Sequence, residues 1–248
     1  MSPTFEAIKG VGLAFAEAGL GLFYPNVCQL CGEERATAKQ GYLGMECRNK
    51  IQRIEPPFCS RCGLPVEGAV TTNFVCSSCR ETEFHFVSAR GAARVNTTIL
   101  EVIHRYKYQR ALYFEPFLAE LLTGQAIPAL GREWDLIVPV PLHPVKKRER
   151  EFNQAERLAE CLSRATGFPV NRRAARRVIQ TESQTRLDRA RRAANVHNAF
   201  APAAKLNGER VVLVDDILTT CATTNACAKA LRMAGAGPVC VWAVARGV

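Results

Sequence analysis

Two adjacent acids, Asp215 and Asp216, lie between a continuous apolar run at Val211–Val214 and a hydroxyl-rich stretch at Thr219–Thr224. The apolar run predicts a buried strand, and the stretch after it predicts a turn that opens a helix. Free backbone N–H groups and threonine hydroxyls at a helix start can hold a phosphate, while carboxylates just upstream can accept hydrogen bonds from sugar hydroxyls. The segment therefore predicts a sugar-phosphate site, and the competing interpretation is that the two acids only cap the helix. It has neither the Walker P-loop spacing nor the dinucleotide fingerprint.

Four cysteines form two C-x-x-C pairs separated by thirteen residues, Cys59 with Cys62 and Cys76 with Cys79. Two thiolates three positions apart can share one ion, so the four together complete a tetrahedral zinc set. Because four thiolates leave no open coordination position, the predicted role of this zinc is structural. Several C-x-x-C pairs in series favour a metal site in a reducing compartment over a disulfide framework.

A second candidate zinc site begins with the C-x-x-C pair Cys28 and Cys31 and includes Cys47. Its fourth cysteine is missing, because Lys50 occupies the position where a C-x-x-C pair starting at Cys47 would place it. Three alternatives remain open at this point. The site is empty, it recruits a ligand other than cysteine, or Cys28 and Cys31 join the later pairs.

The formal net charge of +10 is spread unevenly along the 248 residues. Residues 1–79 hold seven basic and seven acidic side chains, so the excess lies entirely in the remainder of the chain. Within it, residues 143–192 carry fourteen Lys/Arg against six Asp/Glu, which favours a local anionic partner, either phosphate or nucleic acid. The two compositions predict two domains, an N-terminal helix with a zinc-ribbon module at 1–80 and a second domain at 81–248.

With 48% hydrophobic and 23% charged residues, the composition is typical of a soluble globular protein. No apolar run reaches the roughly 18 residues of a membrane span, and the N-terminal segment lacks the features of a secretory leader. These observations predict a cytoplasmic protein without membrane insertion.

The apolar pattern predicts an α/β fold from about Trp134 onward. Continuous apolar strands alternate with helices there, which indicates a parallel sheet covered on both faces. The predicted elements, in chain order, are a helix within residues 1–23, a weak strand pair at 84–95, helices at 98–106 and 114–122, a strand at 136–140, a basic loop, a helix through 155–165, a strand at 211–214, a helix at 223–233 and a strand at 239–244.

The acidic segment, with its two alkyl residues and its Thr-Thr-small-small-Thr turn, resembles the diphosphate-ribose binding motif of type I phosphoribosyltransferases. Further motifs narrow the resemblance: V-P-V-P-L-H at 138–143, R-E-F-N-Q at 150–154, Q-T-E-S-Q-T-R-L-D-R at 180–189, and the N-terminal cysteine knuckles. Together they resemble the ComF family, zinc-ribbon proteins with a type I phosphoribosyltransferase-like domain that are linked to natural competence for DNA uptake. The resemblance covers nearly the whole chain.

The resemblance implies a role for each part of the motif in binding phosphoribosyl pyrophosphate with Mg²⁺. Asp215 and Asp216 would contact the ribose 2′ and 3′ hydroxyls. The 5′-phosphate would lie in the turn formed by Thr219, Thr220, Cys221, Ala222 and Thr223. The pyrophosphate and its Mg²⁺ would face the basic segment that contains Lys146, Lys147, Arg148 and Arg150. Residues 181–192 would form a flap over the site.

Two positions depart from the family pattern. Cys221 and Glu151 each occupy a place where the family carries glycine. A Cβ at position 221 is costly if the turn there needs a positive φ, and an anion at 151 would repel a pyrophosphate.

Three function classes follow from these features. The first is an enzyme, a type I phosphoribosyltransferase that transfers phosphoribose to or from an unidentified acceptor. The second is a non-catalytic competence module that contacts single-stranded DNA or a competence helicase. The third is a sensor that binds phosphoribosyl pyrophosphate without chemistry. Titration with that ligand separates the first and third classes from the second, and a salt-dependent DNA-binding assay tests the second.

Overall fold

A computed structural model describes residues 26–68, 74–179 and 198–247. Its strands are β1 (Ser88–Arg94), β2 (Leu136–Pro139), β3 (Ala175–Arg177), β4 (Phe200–Pro202), β5 (Val211–Leu218) and β6 (Val239–Arg246). Its helices are α1 (Met45–Asn49), α2 (Ser77–Glu81), α3 (Thr97–Tyr108), α4 (Glu115–Leu130), α5 (Pro144–Arg150), α6 (Gln154–Thr166) and α7 (Ala222–Met233), with 3₁₀ turns at Ala38–Gln40 and Leu112–Phe114. The helix expected within residues 1–23 and the flap expected at 181–192 lie outside the described residues.

Four parallel strands form the central sheet in the order β1–β6–β5–β2. Helices α3, α4 and α6 pack on one face together with Val212 and Val214 of β5. Helix α7 and the small antiparallel pair β3–β4 pack on the other face, with Val211 and Leu213. Successive residues of a strand point to opposite faces, so the continuous apolar run of β5 supplies both layers. The expected α/β fold, with a parallel sheet covered on both faces and an N-terminal cysteine-rich module, is confirmed.

Two elements differ from the sequence-based expectation. Residues 84–95 contain one strand rather than a pair, because the N–H of Val87 already donates to the carbonyl of Val239 at 2.8 Å and the chain enters the pairing with β6 directly. The basic loop expected after β2 is the helix α5. Pro144 occupies its first turn, and the His143 side chain caps it by accepting a hydrogen bond from the N–H of Val145 at 3.4 Å.

The cysteine-rich module pairs with the outer edge of β1, whose other edge pairs with β6. The N–H of Ile54 donates to the carbonyl of Ala92 at 3.0 Å, and the N–H of Arg94 donates to the carbonyl of Gln52 at 2.8 Å. Buried cysteines of the module also belong to the same apolar clusters as the strands of the sheet. The module and the sheet therefore share their packing.

The longest helix of the described residues, α4, has 16 residues. None of the helices at 26–68, 74–179 and 198–247 combines the length and the hydropathy needed to cross a membrane.

Candidate functional site

Asp215 and Asp216 belong to the carboxyl-terminal half of β5, which extends past its apolar run to Leu218. Backbone pairing with β6 continues the strand, since Asp215 lies opposite Ala243 in the register. Asp216 is only 5% exposed, whereas Asp215 is half-buried. Open α/β sheets bind ligands beyond the carboxyl ends of their strands, so both acids lie at the edge of the sheet where a ligand is expected.

The carboxyl pair is held by contacts from two helices. Lys107 of α3 forms an ion pair with Oδ2 of Asp216, and Nε2 of Gln154 in α6 donates to Oδ1 of Asp216 at 3.2 Å. Oδ1 of Asp215 accepts a hydrogen bond from the backbone N–H of Asp216 at 2.9 Å, and the two carboxyl groups contact each other. The protein's own side chains therefore fix the position of the pair.

The two carboxyl groups ionise differently. Burial and then the negative charge of Asp216 raise the pKa of Asp215 to about 8. Burial also opposes ionisation of Asp216, but the charge and hydrogen bond of Lys107, assisted by Asp215 and Gln154, lower the pKa of Asp216. These opposite shifts favour a proton on Asp215 and a negative charge on Asp216.

The F-N-Q motif connects the end of β2 to the carboxyl pair. The Asn153 side chain caps α6 by accepting from the N–H of Ala155 at 3.0 Å, and it donates to the carbonyl of Val140 at 3.0 Å. Gln154, the next residue, is buried and donates to Asp216. The motif thus acts on the site by positioning β5 and its acid relative to β2.

A basic cleft of about 240 Å³ adjoins the carboxyl pair. It lies between α3 with the turn that follows it and α5, and its lining residues are Lys107, Tyr108, Arg110, Lys146, Glu149 and Arg150. Lys107 both lines the cleft and pairs with Asp216, so the cleft and the carboxyl pair are contiguous. Arg150 is fixed in the cleft, since its Nη2 donates to the hydroxyl of Tyr108 at 2.8 Å and its Nη1 donates to Gln154 at 3.1 Å.

Like charges crowd one part of this cleft. Burial, followed by the positive charges of Arg177 and Arg150, lowers the pKa of Lys146. Arg177 lies on β3 and interacts electrostatically with Asp215, which connects this group of cations to the carboxyl pair. Cations this close repel one another, and an anion between them would remove that cost. The cleft is therefore suited to an anionic group.

Two of the four basic residues expected at the pyrophosphate lie in the cleft. Lys146 and Arg150 line it, whereas Lys147 pairs with Glu156 at 3.1 Å and Arg148 is exposed outside it. The helical conformation of α5 explains the division, because residues four apart share one face of a helix and adjacent residues do not.

The expected phosphate turn joins β5 to α7. The hydroxyl of Thr220 accepts a hydrogen bond from the N–H of Ala222 at 3.4 Å. Cys221 is the N-cap residue of α7, and its side chain makes no capping hydrogen bond to the helix. The Cys221 side chain therefore does not cap the backbone N–H groups in the first turn of α7, which include that of Thr223. Thr219 is exposed, and Cys221 is buried with 3% of its surface exposed.

Both departures from the family's glycine pattern fall on left-handed backbone. The φ angle is 61° at Cys221 and 66° at Glu151. A side chain with a Cβ costs roughly 1–2 kcal/mol in this conformation. The Glu151 carboxylate forms an ion pair with Arg110 at 2.6 Å, which balances its charge at the mouth of the cleft.

The later cysteines form a compact group. The sulfurs of Cys59, Cys62, Cys76 and Cys79 lie within 4.8 Å of one another. Although burial acts in the opposite direction, hydrogen bonds from neighbouring backbone N–H groups lower the pKa of Cys59 to about 7. Burial raises the pKa of Cys76 and of Cys79. Four convergent, largely buried sulfurs fit a closed tetrahedral zinc ion, and these residues would hold it in a structural role.

A buried arginine joins this cysteine group to the phosphate turn. Arg246, at the end of β6, is 5% exposed. Its Nε donates to the carbonyl of Cys62 at 2.9 Å, and its Nη2 donates to the Cys62 sulfur at 3.5 Å. Its Nη1 donates to the carbonyls of Thr219 and Gly247. One side chain therefore holds both the cysteine group and the start of the turn.

The earlier cysteines form a second group with a carboxylate. The ligand atoms of Cys28, Cys31, Glu34 and Cys47 lie within 4.8 Å of one another. Cys28 and Cys47 are buried, Glu34 is half-buried and Cys31 is exposed. The structure thus keeps Cys28 and Cys31 with Cys47, and they do not join the later pairs.

The site residues predicted from the sequence did not include Lys107, Tyr108 or Arg110. Cations near the carboxyl end of a helix commonly serve only to balance the helix dipole, so local pattern does not distinguish Lys107 from such residues. The available signal was the basic and aromatic run R-Y-K-Y-Q-R at 105–110.

Comparison with known proteins covers both parts of the chain. A family model for the double zinc ribbon domain matches residues 19–81. Competence protein F of Haemophilus influenzae is 31% identical to this chain over 232 residues, which cover 90% of this chain and 98% of that protein. DNA utilization protein YhgH of Salmonella typhimurium is 29% identical over 229 residues, which cover 91% of this chain and 99% of that protein.

Among solved structures, an adenine phosphoribosyltransferase from Thermoanaerobacter pseudethanolicus matches part of this chain. It aligns with a TM-score of 0.35 at 18% identity and covers 63% of this chain and 89% of the other.

Proposed function

Because this chain belongs to the ComF family of competence proteins, we propose that it binds phosphoribosyl pyrophosphate, with Mg²⁺, at the carboxyl end of β5. One observation supports this proposal above the others. The carboxyl pair and the basic cleft are contiguous through Lys107, so groups suited to a ribose and to a diphosphate lie side by side. A phosphoribosyl diphosphate presents those two chemistries next to each other.

The cations favour a compact anion with a high charge. The charges of Arg177 and Arg150 help to lower the pKa of Lys146, and a diphosphate between these cations would exchange repulsion for charge-assisted hydrogen bonds. In this arrangement Asp215 and Asp216 face the ribose hydroxyls, and the Thr219–Thr223 turn with the start of α7 faces the 5′-phosphate.

The proposal includes transfer of the phosphoribosyl group to an acceptor. Breaking the bond between C1 of the ribose and the diphosphate builds positive charge on the sugar and negative charge on the leaving group. Lys146 and Arg150 would neutralise the leaving diphosphate, and the carboxyl pair would orient the sugar. These residues act by position and charge, and the site needs no nucleophilic side chain.

We place this activity in the uptake or use of DNA, because the two relatives are named for competence and for DNA utilisation. Direct binding of single-stranded DNA along the basic segment is the competing proposal. One arginine in the described part of that segment is less available for it. Arg172 pairs with Glu156 at 2.9 Å and with Glu160 at 2.7 Å, so its charge is already balanced.

The test is calorimetric titration of the purified chain with phosphoribosyl pyrophosphate and Mg²⁺. Lys146→Ala should weaken binding by about tenfold or more, which corresponds to about 1.4 kcal/mol, whereas Lys147→Ala should leave it nearly unchanged. The adjacent lysine is a matched control, because it lies outside the cleft and pairs with Glu156. Asp215→Ala should also weaken binding. Its control is Asp135→Ala, because Asp135 lies just before the amino end of β2 and the candidate site lies at the carboxyl ends of the strands.

Asp216 is a poorer probe, because its replacement would leave Lys107 without its partner. No heat of binding with the wild-type chain, or equal loss in both lysine variants, would overturn the proposal. A salt-dependent affinity for single-stranded DNA that is unaffected by phosphoribosyl pyrophosphate would support the competing proposal. A positive titration would be followed by a pyrophosphate-release screen across nucleobases to find the acceptor.

A further inference from the structure

The earlier cysteine group has three sulfurs where a zinc ribbon uses four. Lys50, at the position of the missing cysteine, is an exposed residue at the carboxyl end of α1. Zinc also accepts carboxylate oxygens, and Glu34 is the fourth residue of this group whose ligand atom lies within 4.8 Å of all three sulfurs.

The fold holds the Glu34 carboxylate at this point. Its Oε2 accepts a hydrogen bond from the N–H of Glu46 at 2.9 Å, and its Oε1 accepts from the N–H of Cys47 at 3.1 Å. Both donors belong to the first turn of α1, the helix that also supplies the Cys47 sulfur. The carboxylate and this sulfur are therefore positioned by the same short helix.

A glycine makes room for the carboxylate. A Cβ at Gly44 would lie 2.0 Å from Cδ of Glu34, so any larger residue there would push the carboxylate out of this position. The loop after Cys28 returns Glu34 to the Cys28–Cys31 pair, since the N–H of Cys28 donates to the carbonyl of Glu34 at 2.7 Å. Oε1 of Glu34 then lies 3.9 Å from the sulfur of Cys31.

We propose that Cys28, Cys31, Cys47 and the carboxylate of Glu34 bind a second zinc ion, and that this ion is released more readily than the one held by the four later cysteines. Thiolates are softer ligands than carboxylates and bind zinc more strongly, so the set with an oxygen ligand is the weaker one. Its ligands are also more accessible, because Cys31 is exposed and the later cysteines are buried.

The first experiment measures zinc content and zinc release from the full chain, purified without chelator. Wild-type protein should contain two zinc ions and lose them to a chromophoric chelator in two separate phases. Glu34→Gln keeps the size of the side chain but removes the charged ligand, and it should accelerate the fast phase by about tenfold or more, or leave about one ion bound. Glu33→Gln, the same change at the exposed neighbouring residue, should release zinc like the wild type.

The second experiment needs no variant. In cobalt-substituted wild-type protein, the more labile ion should show about three quarters of the sulfur-to-metal charge-transfer absorption of the tighter ion, because three of its four ligands are thiolates. One zinc ion per wild-type chain, equal absorption from the two cobalt ions, or unchanged release from Glu34→Gln would each overturn the proposal. These readouts do not depend on binding of phosphoribosyl pyrophosphate.

Discussion

Replacement of Arg246 by methionine should destabilise the protein by about 3–5 kcal/mol. The guanidinium donates to the carbonyls of Cys62, Thr219 and Gly247 and to the Cys62 sulfur, and Arg246 is only 5% exposed. A buried acceptor that loses its donor costs about 1–3 kcal/mol. Water can replace the arginine at exposed Thr219, but the carbonyls of Cys62 and Gly247 are buried with it.

Methionine has a similar length and fills irregular space, so the loss should report the hydrogen bonds rather than a cavity. The assay is urea-induced unfolding of the zinc-loaded chain. Arg210→Met is the control, because Arg210 is 47% exposed and lies 3.5 Å from Glu133 on the surface, and it should change the free energy of unfolding by less than about 1 kcal/mol.

A free energy of unfolding for Arg246→Met within about 1 kcal/mol of the wild type would refute this reasoning. If the methionine variant does not fold, Arg246→Lys is the alternative, because it keeps the charge but loses the planar fork of the guanidinium. Its free energy of unfolding should be lower than that of the wild type but still measurable. Because the sulfur of Cys62 is one of the four acceptors, zinc release from the later cysteines should also become faster in the methionine variant.

Two further predictions concern the candidate site. Burial and Asp216 raise the pKa of Asp215 to about 8, so the folded chain binds this proton more tightly than the unfolded chain. The stabilisation that the proton provides is therefore lost as the pH rises from about 4 through 8. Asp215→Asn should therefore gain stability relative to the wild type as urea unfolding is repeated from pH 5 to pH 8, and a difference that does not vary with pH would contradict the assignment. Glu151→Gly should be more stable than Glu151→Ala by about 1 kcal/mol in thermal unfolding, because only glycine relieves the left-handed backbone. Both variants lose the exposed ion pair to Arg110, so this loss cancels in the comparison. Equal stabilities would show that the backbone is not strained.

The sequence predicted β5 from the run Val211–Val214, but it did not predict where the strand ends. The strand continues through both acids because its main chain pairs with β6 as far as Leu218, and this pairing does not depend on side-chain polarity. The acids therefore lie within a strand, where contacts from other elements bury them. Burial opposes ionisation of both acids, and the contact of Lys107 with Asp216 separates their pKa values. A motif alone gives no measure of either effect.

Contacts between distant segments were beyond prediction for a related reason. The ion pair between Lys107 and Asp216 joins residues more than a hundred positions apart, and only the packing of α3 against the end of β5 creates it. The missing cysteine at position 50 was visible in the sequence, and a ligand other than cysteine was one of three alternatives. Choosing Glu34 required the turn that brings it to α1 and the space left by Gly44.

The pairing of the cysteine-rich module with β1 has a consequence for how the chain behaves when it loses zinc. In the sheet order β1–β6–β5–β2, strand β1 would be an open edge if Gln52 and Ile54 did not pair with it. An uncovered edge strand offers its free N–H and C=O groups to any other extended chain, including another copy of itself. If loss of zinc unfolds the module, β1 loses this cover, and we expect the zinc-depleted chain to self-associate.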